Sequence, residues 1–186
     1  MEADLEANPF VEEADISVDL GGRMRIKVLQ RSPVLHVFNN KGQSYYVSKN
    51  GFKIPRNEAY TARVIAANGN ISESLTDSSF AKTKALNDLY HIALYCSKDK
   101  FWDAQIEQLY VDNYNDILLI PKVGNHTIVF GSAEGLEDKF TRLKEFYFKG
   151  LNNIGWNKYK SINVKYDNQI VAEKDGLFIT PVDTAK

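Results

Sequence analysis

Cysteine is almost missing: Cys96 stands alone among 186 residues, which excludes an intrachain disulfide and a thiolate metal cluster. Histidine is nearly as scarce. His36, His91 and His126 are the only three, with no HExxH or HxH spacing among them, so the short metal-binding motifs are absent. Excess charge of either sign is lacking as well. With 23 Lys and Arg against 24 Asp and Glu, the formal net charge of -1 offers no global attraction to nucleic acid. The sequence as it stands has no run of roughly 18 or more apolar residues and no basic-then-apolar leader, the patterns of a spanning helix and a signal peptide.

Catalytic patterns are equally thin. His91 and Cys96 lie five residues apart and share no helical face, so they predict a buried small hydrophobe at Cys96 rather than a thiolate dyad. The run Gly131-Ser132-Ala133-Glu134-Gly135 lacks the Lys-Ser/Thr ending of a phosphate-binding loop and reads as the entry to a helix. No cofactor or metal is expected, and the chain is expected not to be an enzyme.

What is present is a 44% hydrophobic chain with ten Tyr and ten Phe, enough apolar surface for a real core. The first 20 residues predict a short helix and then a strand. Ile16, Val18 and Leu20 alternate, Gly21-Gly22 turns the chain, and Met24, Ile26 and Val28 alternate against Arg23, Arg25 and Lys27, which together read as a hairpin with one basic, solvated face. VLHVFN, YYVS and FKIP follow as strands separated by Lys41-Gly42 and Asn50-Gly51, and ARVIAAN, ended by Asn68-Gly69, adds one more. A helix is predicted from Ser78 to Tyr95 with Asp77 as its N-cap, because Leu86, Leu89, Tyr90, Ala93 and Leu94 recur at helical spacing. A short turn around Phe101-Trp102 leads to the strands QIEQLYVD, DILLIPKV and HTIVFG, with Pro121 pointing to an edge or a bulge.

The clearest element is the second helix. Leu136, Phe140, Leu143, Tyr147 and Leu151 form one apolar stripe that must lie on a sheet. Strand runs joined by hairpins and interrupted by two long helices predict an α+β fold, a largely antiparallel sheet covered by helices on one face. Tyr45, Tyr46, Phe52 and Tyr60 cluster near the middle hairpin. They suit either a stacking platform for sugar or nucleotide rings or, more simply, cross-strand packing.

The chain closes with KSINVKYDNQIVAEKDG. Ile162, Val164 and Tyr166 alternate with Asn163, Lys165 and Asp167, Asp167-Asn168-Gln169 reads as a tight reversal, and Ile170 to Glu173 returns as a short strand. A final strand left unpaired is an aggregation hazard unless something is meant to pair with it. Leu177 to Thr180, within the β-rich run GLFIT, offers one possible cover.

The run ANPFVEEADISVDLGGRMRIKVLQRSPVLHVFNNKGQSYYVSKNGFKIP resembles the FtsQ/DivIB bacterial division proteins, with a short helix, a hairpin, an R-x-P exit and a second hairpin in that order. TIVFGSAEGLEDKFTRLKEF is similar to that family's strand and helix, with Lys139, Arg142 and Leu143 in the Lys-x-x-Arg-Leu pattern, and SINVKYDNQIV is similar to its terminal hairpin. The resemblance implies the C-terminal part of a POTRA domain over residues 1–32, an antiparallel or mixed β-domain covered by two helices over 33–175, and a tail over 176–186. It also implies that a cytoplasmic tail, one transmembrane helix and the rest of the POTRA domain precede this segment in the full protein, which would place the chain in the periplasm or outside the cytoplasm.

The function the resemblance implies is a noncatalytic divisome scaffold that binds FtsB/FtsL (DivIC/FtsL) coiled-coil partners, with a cell-wall glycan-binding module as the alternative. The partner would add a strand along Ile170, Val171, Ala172, Glu173 and Lys174. Lys165 and Tyr166 would choose the partner, as a cation for an acidic residue and an amphipathic anchor, and Asn168, in the turn before the strand, would be a further partner-binding residue. Two departures stand out: Lys165 occupies a place where the family often has Arg, and a Lys makes no planar bidentate pair; Asn168-Gln169 replaces a turn of small residues. Pairing demands one alternate set of outward N–H groups, either 170 and 172 or 171 and 173, and the sequence leaves both open.

Overall fold

The computed structural model describes residues 1–57, 61–151 and 155–175. Leu177 to Thr180, the tail over 176–186 and Tyr60 lie outside the described residues. No described helix is long and apolar enough to cross a membrane.

Helix α1 (Glu2–Glu6) precedes a two-stranded antiparallel sheet of β1 (Val11–Val18) and β2 (Met24–Gln30). The turn forms as expected. Asp19 accepts from the Gly21 and Arg23 amides over 2.9 Å each, and Gly22 takes the positive φ of 76° that the reversal needs. Every residue of β2 is exposed, so the apolar row of Met24, Ile26 and Val28 reaches the surface along with the basic row.

The remaining strands form one nine-stranded mixed sheet in the order β11-β10-β9-β8-β7-β6-β3-β4-β5. They are β3 (Pro33–Phe38), β4 (Ser44–Ser48), β5 (Lys53–Pro55), β6 (Ile65–Gly69), β7 (Ile106–Val111), β8 (Ile117–Pro121), β9 (Thr127–Gly131), β10 (Tyr159–Asn163) and β11 (Val171–Lys174). The hairpin pairs β3–β4, β4–β5, β7–β8 and β8–β9 are antiparallel. Antiparallel joints predominate, as expected, and the sheet is mixed because β3–β6, β6–β7 and β9–β10 are parallel. Two of these parallel pairs follow from helical crossovers, since a chain that leaves a strand through a helix returns in the same direction. At Gly69, at the end of β6, a side chain would strike the Val111 carbonyl at 2.2 Å, so the close β6–β7 approach requires glycine. Pro121 ends β8 beside a register slip in β7 between Ile106 and Gln108. It lies inside the sheet, at a bulge.

Among the described residues three helices rather than two pack on the core of the sheet. Helix α2 (Lys84–Lys98) starts later than the sequence pattern predicts, with Thr83 and not Asp77 as its N-cap. The segment before it is tied up elsewhere: Asp77 accepts from the Ser74 amide over 2.7 Å, and the Glu73 carboxylate takes the Thr83 amide and hydroxyl at 2.7 and 2.8 Å. The stretch expected to be a turn at Phe101-Trp102 is helix α3 (Lys100–Gln105), capped by the Asp99 carboxylate. Helix α4 (Leu136–Phe146) continues into a π-helical turn, Tyr147–Leu151. The core joins all three to the sheet. Phe140 of α4 lies 4.9 Å from Trp102 of α3, 4.6 Å from Tyr95 of α2 and 4.9 Å from Phe130 of β9, ring centre to ring centre, and Trp102, Phe130 and Phe140 are fully buried.

Candidate functional site

The end of the sheet beyond β9 is built by α4. Strand β10 pairs in parallel with β9 on one side and antiparallel with β11 on the other. Leu143 and Phe140 on the inner face of α4, and Ile162 and Val164 on β10 and just after it, are all fully buried in the same core. Burial on the order of 2 kcal/mol for each such side chain anchors β10.

The strand stops earlier than its alternation predicts. β10 ends at Asn163, and Tyr166, expected on the buried side with Ile162 and Val164, is 52% exposed. The reason is Arg142. Its guanidinium donates to the carbonyls of Val164 over 3.3 Å, Tyr166 over 3.0 Å and Gln169, and its Nε donates to Asp138 over 2.8 Å. Carbonyls turned towards one cation cannot continue a ladder, so residues 164–170 form a loop wrapped on α4. Asn168 supplies the tight bend with a φ of 58°, a conformation Asn tolerates better than most residues. Asn163 Oδ1 accepts from the Lys165 amide over 2.9 Å and starts the loop.

Lys165 does not point freely outward. Its Nζ lies 2.7 Å from Asp116 Oδ2 in the β7–β8 turn, and the hydrogen bond to that carboxylate raises the Lys165 ammonium above its ordinary value. The sequence pattern missed both Asp116 and the structural role of Arg142. For Arg142 a signal existed, the Asp138 four residues before it on an otherwise exposed helix face.

Among the described residues strand β11 is the outermost strand of the sheet, and its register shows which of its backbone groups point away from β10. Its partners on β10 are Asn163 for Val171, Ile162 for Ala172, Ser161 for Glu173 and Tyr159 for Lys174. The Asp175 amide donates inward to Lys158 O over 3.0 Å, whereas the Val164 amide points the other way, to Val129 O of β9 over 3.0 Å. Backbone groups alternate along a strand. Val171 and Glu173 therefore bond to β10, and Ala172 and Lys174 turn their N–H and C=O groups out of the sheet. Ile170 lies just before the strand and packs on the core with Ala172. Val171 is 51% exposed on the opposite face, and Glu173 accepts from Ser161 Oγ over 3.1 Å. Beside the strand, on its helix side, runs an open groove of about 390 Å³ whose walls include Arg142, Phe146, Lys149, Asn168 and Ile170.

The predicted residues divide: Ala172 and Lys174 turn backbone groups away from β10, Asn168 and Ile170 line the groove, Tyr166 is exposed in the preceding loop, and Lys165 is turned aside to Asp116. The chemistry they offer is hydrogen bonding and packing. Among the described residues no group of three His, Cys, Asp or Glu side chains is placed to hold a metal ion. Cys96 lies within α2, and burial pushes its thiol far above the ordinary range, so it holds no ready thiolate. His126, expected on a strand, sits in the turn before β9 with Nε2 2.7 Å from the buried Tyr147 hydroxyl. Tyr45 and Tyr46 are 0% and 5% exposed, and neither presents a ring face for a sugar.

A family model described as FtsQ/DivIB, C-terminal related, matches residues 32–173, from the strand that opens the nine-stranded sheet to the penultimate residue of β11. No curated protein matches the chain.

Proposed function

The chain belongs to the FtsQ/DivIB, C-terminal related family, and so has a role in cell division; from that premise we propose that it is a noncatalytic divisome scaffold whose β11 edge accepts a strand from an FtsB/FtsL-type (DivIC/FtsL) coiled-coil partner. The observation that carries this reading is the outward backbone row of Ala172 and Lys174 on the edge strand. An extended partner segment satisfies that row, and side chains that fall on its helix-facing side enter the groove beside Arg142 and Ile170. Tyr166 is the exposed amphipathic anchor.

In this reading residues 1–32 are the C-terminal part of a POTRA domain and residues 33–175 the β-domain. The separation of the β1–β2 sheet from the nine-stranded sheet supports that division. The full protein would be anchored in the inner membrane by one N-terminal helix, with this region on the extracytoplasmic side.

Titration of the chain with the extracytoplasmic segments of an FtsB/FtsL-type pair, followed by amide hydrogen exchange, tests the proposal. A saturable complex with new protection at Ala172 and Lys174 is expected. Protection confined to another surface would move the partner site away from β11, and no complex beside cosedimentation with peptidoglycan would favour the glycan-binding alternative.

A further inference from the structure

The outward row of β11 ends directly before a turn signal. Ala172 and Lys174 point their N–H and C=O groups away from β10, and the Asp175 amide bonds inward to Lys158 O over 3.0 Å. Next in the chain come Asp175-Gly176 and then Leu177, Phe178, Ile179 and Thr180; residues 176–180 lie outside the described residues. Asp-Gly is a favoured pair for a two-residue hairpin loop, and the residues on either side of such a loop exchange hydrogen bonds. Here those neighbours are Lys174 and Leu177, and the next bonded pair along is Ala172 with Ile179. The register that the loop dictates thus meets the two β11 residues whose groups point outward. Had Asp-Gly stood one residue earlier or later, the same loop would have met the inward row.

The side-chain pattern agrees with that register. Residues directly opposite on paired strands share a face of the sheet, so Leu177 and Ile179 would fall on the face of Ala172. That face is apolar: Ala172 and Ile170 pack on the core, and Phe146 and Ile170 are among the walls of the groove beside the strand. Phe178 and Thr180 would stand on the other face, next to Glu173 and the half-exposed Val171.

We propose, on the reading of β11 as the partner edge, that residues 177–180 are a built-in competitor for it, a return strand that closes over Ala172 and Lys174 and must leave before a partner strand pairs. An outermost strand with unpaired groups invites unwanted association, and a tethered cover prevents it. The favoured loop needs positive φ at both of its residues. Asp175 does not hold one in the structure, so closure takes a rotation about its N–Cα bond, which leaves its amide on Lys158 O, at a residue type that enters the left-handed region more readily than most. A lone hairpin is marginal in water, while the tether keeps the return strand at an effective concentration in the millimolar range. Closure of about two-thirds of the molecules lowers the apparent partner affinity about threefold.

Two measurements on the whole chain test the cover and the competition separately: amide hydrogen exchange without partner, and titration with the extracytoplasmic segments of an FtsB/FtsL-type pair. Gly176→Val puts a β-branched residue where the loop needs positive φ, and Ile179→Lys sets a charge against the apolar groove. Each should speed exchange at Ala172 and Lys174 and tighten partner binding about threefold, with the melting temperature near the parental one. Asp175→Asn creates the loop pair with the strongest hairpin preference and should act in the opposite direction, slowing exchange and weakening binding. Exchange at Ala172 and Lys174 that is the same in all four proteins would overturn the cover, whatever the partner does. Altered exchange with parental affinity in every variant would overturn the competition. A partner pair that binds none of the four would sink the partner reading instead, with the exchange result still deciding whether residues 177–180 pair with β11.

Discussion

The Arg142 guanidinium donates to the Tyr166 carbonyl over 3.0 Å, and with its bonds to the Val164 and Gln169 carbonyls this contact from α4 holds the end of β10 as a loop that leads into β11. The Arg142 side chain is 16% exposed, and of its three carbonyl bonds the one to Val164 is part-buried while those to Tyr166 and Gln169 lie at the surface. Charge-assisted bonds of this kind contribute about 1.5–3 kcal/mol.

Arg142→Ala is therefore expected to cost about 2 kcal/mol in urea unfolding and to weaken partner binding by loosening the loop that leads into the edge strand. Arg142→Lys should fall between the two, because an ammonium is a point donor and cannot serve three carbonyls in a fixed fork. Parental stability in both variants would show that the loop holds its shape without the clamp.

The Lys53–Glu73 pair supplies a pH prediction. Their charged atoms lie 3.0 Å apart with side chains 0% and 2% exposed. Burial by itself would raise the Glu73 carboxyl, but bonds from the Thr83 amide and hydroxyl, the Lys53 ammonium and the Lys82 amide together hold it below its ordinary value of 4.5. A depressed folded-state value means that the stabilisation is fully present above pH 4.5 and is lost as the pH falls through the lower, folded-state value. Glu73→Gln should cost about 3–5 kcal/mol at neutral pH by leaving a buried ammonium unpaired, and should flatten the acid limb of a stability-against-pH curve. An unchanged acid limb would remove Glu73 from the account.

The boundary between legible and illegible features follows from distance along the chain. Asn50-Gly51 and Gly21-Gly22 announce hairpins because the turn and its strands are neighbours in sequence. The apolar stripe of Leu136, Phe140 and Leu143 announces α4 for the same reason. The parallel β3–β6 and β9–β10 pairings join segments about 30 residues apart and leave no local mark. Nor does any local rule link Lys165 to Asp116, 49 residues earlier. Asp77 has the chemistry of an N-cap, yet Glu73 and Thr83 win that place through contacts ten residues apart. Tyr166 keeps the strand alternation in sequence, and only Arg142, 24 residues before it, takes it out of the strand.

Lys165 and Tyr166 should respond differently to substitution. Lys165→Glu sets two carboxylates against each other beside the β7–β8 turn and should lower the melting temperature slightly, and the added swap Asp116→Lys should restore it. Weakened binding of an acidic partner that persists in the swapped protein would assign the contact to Lys165 itself, and binding restored with the melt would assign it to the loop's shape. Tyr166→Ala, at an exposed position, should cost about 2 kcal/mol of binding with no change in the melt. Parental affinity would exclude it as an anchor.

Strand addition at β11 is tested most directly by a pair of proline variants one residue apart, Val171→Pro and Ala172→Pro, each measured by thermal melt and by titration with the partner pair. Proline removes one N–H. At Val171 that group bonds to β10, so the edge should detach and the melt should fall; at Ala172 it points out of the sheet, so a cooperative melt near the parental temperature should accompany loss of partner binding. Parental affinity in Ala172→Pro, or a binding loss there that appears only together with unfolding, would contradict the pairing of a partner strand with this edge.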